Sequence, residues 1–194
     1  MTSHPRFSLL CGALAASSVL AACAGPSTPS PTPSPTYQCV PDAGGDPVPC
    51  GPIEYEQAQA RDALYAEAEA VYRRFWAESD RLYASESPEV TPEIEATTAG
   101  NFLKYVEEEF AAPSYARRLS GNTRLVRLER YVGVSRSGSI VSLNACWDSS
   151  GATFSPRNGG PATAGVAVDE NVFFSRFDGV LKLVDAESEA VNQC

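Results

Sequence analysis

Acid–base chemistry in this chain would fall to carboxylates and phenols. His4 is the one histidine among 194 residues, and it lies in a leader expected to be removed. Without an imidazole, serine triads, cysteine–histidine dyads and histidine-ligated metals drop out of the mature body. Lys104 and Lys182 are the two lysines, thin support for Schiff-base chemistry. The carboxylate candidates are Asp148, Glu129 and Asp185, with Tyr131 as a hydrogen-bond donor. To act as acid or base, such a group needs burial and a shifted pKa. Each candidate also has a structural explanation: Asp148 opens an Asp-Ser-Ser-Gly turn, Glu129 alternates onto the solvent face of a strand, and Asp185 follows a strand. Glu107-Glu108-Glu109 reads as a solvated helix face, because three consecutive residues fan around a helix. No catalytic residue is assigned on this pattern.

The cysteines point to structure. Setting aside Cys11 and Cys23 in the amino-terminal region, four of the six remain: Cys39, Cys50, Cys146 and Cys194. An even remainder in an exported chain predicts two disulfides, with three possible connectivities. Cys39–Cys50, closing a short loop rich in Pro, Gly and Asp, and Cys146–Cys194, tying an inner strand to the last residue, are the favoured pairs. With no C-x-x-C pair and no histidine partner, neither a metal nor a cofactor is expected. Asp42 and Asp46 beside glycines fit turn chemistry rather than calcium. The formal charge of -9, from 24 acidic and 15 basic residues, argues against a nucleic-acid partner.

The elements that must carry these residues begin after a leader. Residues 1–22 read as a signal peptide, with Arg6 followed by an uncharged apolar run from Phe7 to Ala22. That run is shorter than the ~20 residues a spanning helix needs. Leu20-Ala21-Ala22-Cys23 resembles the lipobox of bacterial lipoproteins, which implies cleavage before Cys23, acylation of its thiol, and a membrane-anchored protein on the extracytoplasmic face. Residues 23–52 form a tether with a small disulfide loop. Alternating Pro with Ser or Thr over Gly25–Thr36 favours an extended spacer, on the order of 35–40 Å long.

Residues 53–194 carry the folded body. Ile53 to about Ser85 is predicted as one long helix, with Leu64, Ala68, Val71, Phe75 and Leu82 at helical spacing beside Tyr65, Tyr72, Trp76 and Tyr83. Thr91-Pro92 starts a second helix, and Phe102, Val106 and Phe110 share a face after the interruption at Gly100. A short helical turn is expected around Tyr115–Leu119. The period then changes to two. Arg124–Ser135 sets Val126, Leu128, Val132 and Val134 on one side, and Ser137-Gly138 turns the chain into the strand Ser139–Asp148. A short strand is expected near Phe154, and Asp178-Gly179 predicts a hairpin of Asn171–Phe177 with Val180–Asp185. Helices followed by an antiparallel meander make an α+β domain, the sheet curled over the long helix.

This order is similar to the SnoaL-like branch of the cone-shaped nuclear transport factor two superfamily. The residues that carry the likeness are the long first helix, Ala96–Gly100 followed by Asn101-Phe102-Leu103, the strand Val141–Asp148, Phe177–Val184 and Cys194. Leu181 stands where that family often has Trp. The resemblance implies an envelope lipoprotein of the kind found in high-GC Gram-positive bacteria. Its non-catalytic cone would bind a small apolar ligand or a protein partner in a pocket at Tyr72, Phe75, Trp76, Tyr83, Trp147 and Asp148. Two other functions fit the same body: a carboxylate-dependent hydrolase or isomerase, and an accessory subunit of an export or cell-wall assembly. A homodimer through the sheet is a further expectation from the likeness.

Overall fold

The computed structural model describes residues 36–194. The expected leader, Cys11, the lipidation site Cys23 and the proline-rich stretch up to Pro35 lie outside the described residues. The class is α+β: among the described residues there are three helices and nine strands, with every strand pair of the sheets antiparallel.

Helix α1 spans Pro52–Tyr83. Proline at its first position has no amide to leave unpaired, and Glu54 reaches back to accept from the Gly51 N–H at 2.7 Å. Its buried face carries Ala58, Tyr65, Ala68, Val71, Tyr72 and Leu82. Helix α2, Pro92–Thr97, starts where the Thr91 hydroxyl accepts from the Ile94 N–H at 3.3 Å. Thr97 and Thr98 are fully buried and donate their hydroxyls to the Glu93 and Ile94 carbonyls, each at 2.7 Å. Ala99 N–H donates to the Leu183 carbonyl at 2.9 Å, so Ala96–Gly100 is the seam that fastens the helices to the sheet. Helix α3, Gly100–Ala111, then buries Phe102, Val106 and Phe110.

Strands β4 (Arg124–Arg130), β5 (Val141–Asp148), β8 (Ala167–Phe177) and β9 (Val180–Val191) form one sheet in that order. Cross-strand pairing puts Val141, Leu143, Ala145 and Trp147 of β5 opposite Phe174, Val172, Glu170 and Val168 of β8. This inner face packs on α1 and α3, and Leu143, Val172, Phe174, Leu181 and Leu183 have no exposed surface. A second sheet joins β3 (Ala116–Ser120), β6 (Thr153–Pro156) and β7 (Thr163–Ala164). Strands β1 (Tyr37–Cys39) and β2 (Val48–Cys50) make a hairpin closed by the Cys39–Cys50 disulfide. It rests on α1: Tyr37 packs on Tyr55 with ring centroids 4.9 Å apart, and Arg61 donates to the Val40 carbonyl at 2.7 Å. The second disulfide is Cys146–Cys194.

Three expectations need correction. Residues 116–120 form strand β3, not a helical turn. Pro113 interrupts helical hydrogen bonding, and Arg118 is drawn inward to pair with Asp80 of α1. Gly121 then turns at φ +77° against the Gly151 carbonyl, where a Cβ has no room. The strand from Arg124 ends at Arg130, not Ser135, and a bulge between Leu125 and Arg127 changes its phase. Val126 therefore faces solvent at 49% exposure, while Leu125 and Leu128 pack against the core. The final hairpin is longer than expected on both arms. Its turn has Asp178 at φ 51° and Gly179 at φ 81°, the left-handed pair a type I′ turn requires.

Candidate functional site

Between α1, α3 and the inner sheet face lies a cavity of about 650 Å³, within the size range of small-molecule sites. Helix α1 contributes Tyr72, Phe75, Trp76 and Tyr83, which recur at helical spacing and so share one wall. Helix α3 brings Phe102, Tyr105, Val106, Glu109 and Phe110, again one face of a helix. The sheet contributes Trp147 from β5, Glu170 from β8, and Ala186 and Ser188 from β9, while Phe154 of β6 covers one side. Nine aromatic side chains line the space. Five of the six residues expected at a pocket are on this wall: Tyr72, Phe75, Trp76, Tyr83 and Trp147.

Asp148 is not. Strand alternation turns it away from Trp147, and it pairs with Arg124 at 2.8 Å. Hydrogen bonds from Ser150, then the Arg124 guanidinium, hold its carboxyl down at about 2. Such a group stays ionised and makes a poor proton donor or acceptor near neutrality. Glu129 is exposed beside Arg127, at 3.7 Å. Asp185 reaches the cavity rim, but its carboxylate accepts from Ser137 at 2.5 Å and pairs with Arg136 at 3.1 Å. Tyr131 packs on Phe173, their ring centroids 6.5 Å apart. None of these four carries chemistry into the cavity.

Of the four acidic residues on the wall, the two with no arginine partner are Glu170 and Glu109. Glu170 stands in the inward register of β8 between Val168 and Val172. Tyr72 donates its hydroxyl to Glu170 Oε2 at 2.7 Å. Burial pushes the Glu170 carboxyl up to about 7, helped by the Glu109 charge and opposed by the Tyr72 bond. Glu109 is likewise raised by burial, against a hydrogen bond from Tyr83 at 2.5 Å. The reciprocal effect holds Tyr72 and Tyr83 protonated: burial and the neighbouring carboxylates raise both phenols well above their ordinary value. Tyr105 feels the charge of Glu109 first, then its own burial, then Glu170. Tyr115 stacks on Tyr83 with ring centroids 5.3 Å apart, fixing that ring behind its hydroxyl.

Two signals in the sequence point to this pair. Val168, Glu170, Val172 and Phe174 alternate, so Glu170 occupies an apolar register, a signal lost when the strand is begun at Asn171. Glu109 follows Phe102 by seven and Val106 by three, on the apolar stripe of α3 rather than its solvated side. Expecting all three consecutive glutamates in solvent is correct for the exposed Glu107 and Glu108 and incorrect for Glu109.

Chemically the arrangement offers apolar area, aromatic faces and two carboxylates whose proton affinities lie above the ordinary range. Among the described residues no group of three or more His, Cys, Asp or Glu comes together as a metal-ligand set. No family model matches the chain, and neither does any curated protein or solved structure.

Proposed function

We propose that the chain is a lipid-anchored extracytoplasmic protein whose α+β body, SnoaL-like in its element order, binds a small and largely apolar ligand. The observation that carries this reading is the 650 Å³ space walled by nine aromatic side chains. A filled interior would have favoured docking of a protein on the surface; an open aromatic one favours a small guest. Anchoring through Cys23 would keep that guest site beside the membrane, where apolar molecules concentrate. Nile red, a neutral apolar fluorophore, tests the binding. The full chain should take it up saturably and one to one, and Ala186→Phe, which puts a ring into the space, should weaken uptake. Equal uptake by the variant would sink the reading.

The enzymatic alternative gains one specific support, a carboxyl with pKa about 7 hydrogen-bonded to a phenol, at Glu170 and Tyr72. A hydrolase or isomerase built on that pair would lose turnover in Glu170→Gln while still binding its substrate.

A further inference from the structure

The charge of the cavity wall is not balanced. The wall carries no Lys, Arg or His. Two of its four acidic residues are answered from elsewhere: Asp80 by Arg118 and Thr123, Asp185 by Arg136. Glu109 and Glu170 each have a neutral tyrosine hydroxyl and, among the described residues, no cation. Taking a carboxylate out of water without a counter-charge is costly, and this fold does it twice in one space. The surrounding rings add to the same field, because an aromatic face presents negative potential to whatever sits on it. A metal ion fits poorly, since no third ligating side chain joins the two carboxylates. The volume also exceeds what a bare ammonium group fills, which leaves room for an apolar body.

We propose that the cavity takes an organic cation, with an ammonium head between Glu109 and Glu170 beside Tyr105 and an aromatic or alkyl body against Trp76, Phe102 and Trp147. The proposal rests on the ligand-binding reading above and adds the sign of the ligand's charge. An ammonium there is attracted by both carboxylates, which line one wall and of which Glu170 feels the charge of Glu109, and lies against rings suited to weakly hydrated cations. Once both carboxyls are ionised, an anion would face two like charges, and a neutral guest would leave them unanswered.

The two tryptophans of the chain, Trp76 and Trp147, both stand on the wall, so intrinsic fluorescence reports occupancy. Three probes share one skeleton: 4-phenylbutylamine, 4-phenylbutan-1-ol and 4-phenylbutyrate. With the full chain at pH 8, the amine should quench saturably and bind at least about tenfold more tightly than the alcohol, a ratio expected for a desolvated cation on aromatic and carboxylate partners. The butyrate should bind more weakly than either. In Glu109→Gln/Glu170→Gln the amine should fall to the level of the alcohol while the alcohol is unchanged, which also shows that the variant is folded. Equal binding of amine and alcohol by the wild-type chain would overturn the cation proposal and leave the ligand-binding reading standing. Absence of quenching by all three would overturn both.

Discussion

Tyr72 Oη and Glu170 Oε2, separated by 98 residues in sequence, meet at 2.7 Å across the interface of α1 with the sheet. A phenol that donates to a carboxylate in an apolar setting holds it in place without neutralising it. That single contact joins the helix, the inner sheet face and the cavity, so perturbing it should be visible in both stability and binding.

The proton on Glu170 makes stability depend on pH. Unfolded, this carboxyl titrates near 4.5; folded, burial first and the Glu109 charge second push it up to about 7. Tyr72 from α1, Glu109 and Tyr105 from α3 and Ser188 from β9 are the polar groups gathered at this part of the wall. Between the two pKa values the native state binds the extra proton, so stability falls as pH rises through that window and levels off above it. The loss is on the order of 3 kcal/mol, at ~1.4 kcal/mol per unit. Glu170→Gln keeps an acceptor for Tyr72 and removes most of the slope, Glu109 contributing a smaller one of the same sign. Urea denaturation at pH 4.5 and pH 8 checks this: parallel losses in wild type and variant would contradict it.

Tyr83→Phe keeps the ring that stacks on Tyr115 and deletes the hydroxyl that Glu109 accepts from. The stranded carboxyl should rise further in pKa, because the Tyr83 bond is what lowers it. The variant should also lose about 1–3 kcal/mol at neutral pH, the cost of an unsatisfied buried polar group. Carbon-13 titration of the Glu109 carboxyl is the direct readout, and an unchanged midpoint would mean the bond does not hold in solution.

Reduction should weaken the two halves of the molecule unequally. Cys146–Cys194 closes 48 residues and Cys39–Cys50 closes 11, worth about 4 and about 3 kcal/mol in the chain-entropy model. Cys146→Ser should therefore lower the melting temperature more than Cys39→Ser. Intact mass before and after reduction should reveal four thiols released by the two bridges. A count of two would show that one bridge does not form.

Acylation at Cys23 is tested by growth with radiolabelled palmitate. Wild type should take up label and fractionate with membranes, whereas Cys23→Ala should do neither. Label persisting in the variant would remove the anchor from the proposal.

Local rules identify the elements whose ends carry their own chemistry. Pro52 opens α1, Thr91-Pro92 opens α2, and Asp178-Gly179 closes the last hairpin, each within a residue or two of expectation. Where tertiary contacts override propensity, the pattern misleads. Ala116–Ser120 has no strong preference and becomes a strand because Arg118 finds Asp80 and β6 offers an edge. A bulge is invisible to alternation and moves Val126 to the outside of β4. The aromatic wall was legible because aromatic residues at helical spacing declare a face. Its carboxylates were legible only in part: Glu170 shows in the alternation once β8 is begun at Ala167, and Glu109 on the apolar stripe of α3 is masked by the two solvated glutamates before it.

The hairpin lying on the start of α1 has a mechanical consequence. Any pull transmitted along the chain at Thr36 enters the body through the Cys39–Cys50 clasp, the Tyr37–Tyr55 contact and the Arg61 bond to Val40. From Tyr55 to Tyr72 the helix runs roughly 25 Å, so force entering at Thr36 is borne at one end of a stiff rod while the cavity begins well down its length. Load on the hairpin is thereby kept apart from the cavity wall.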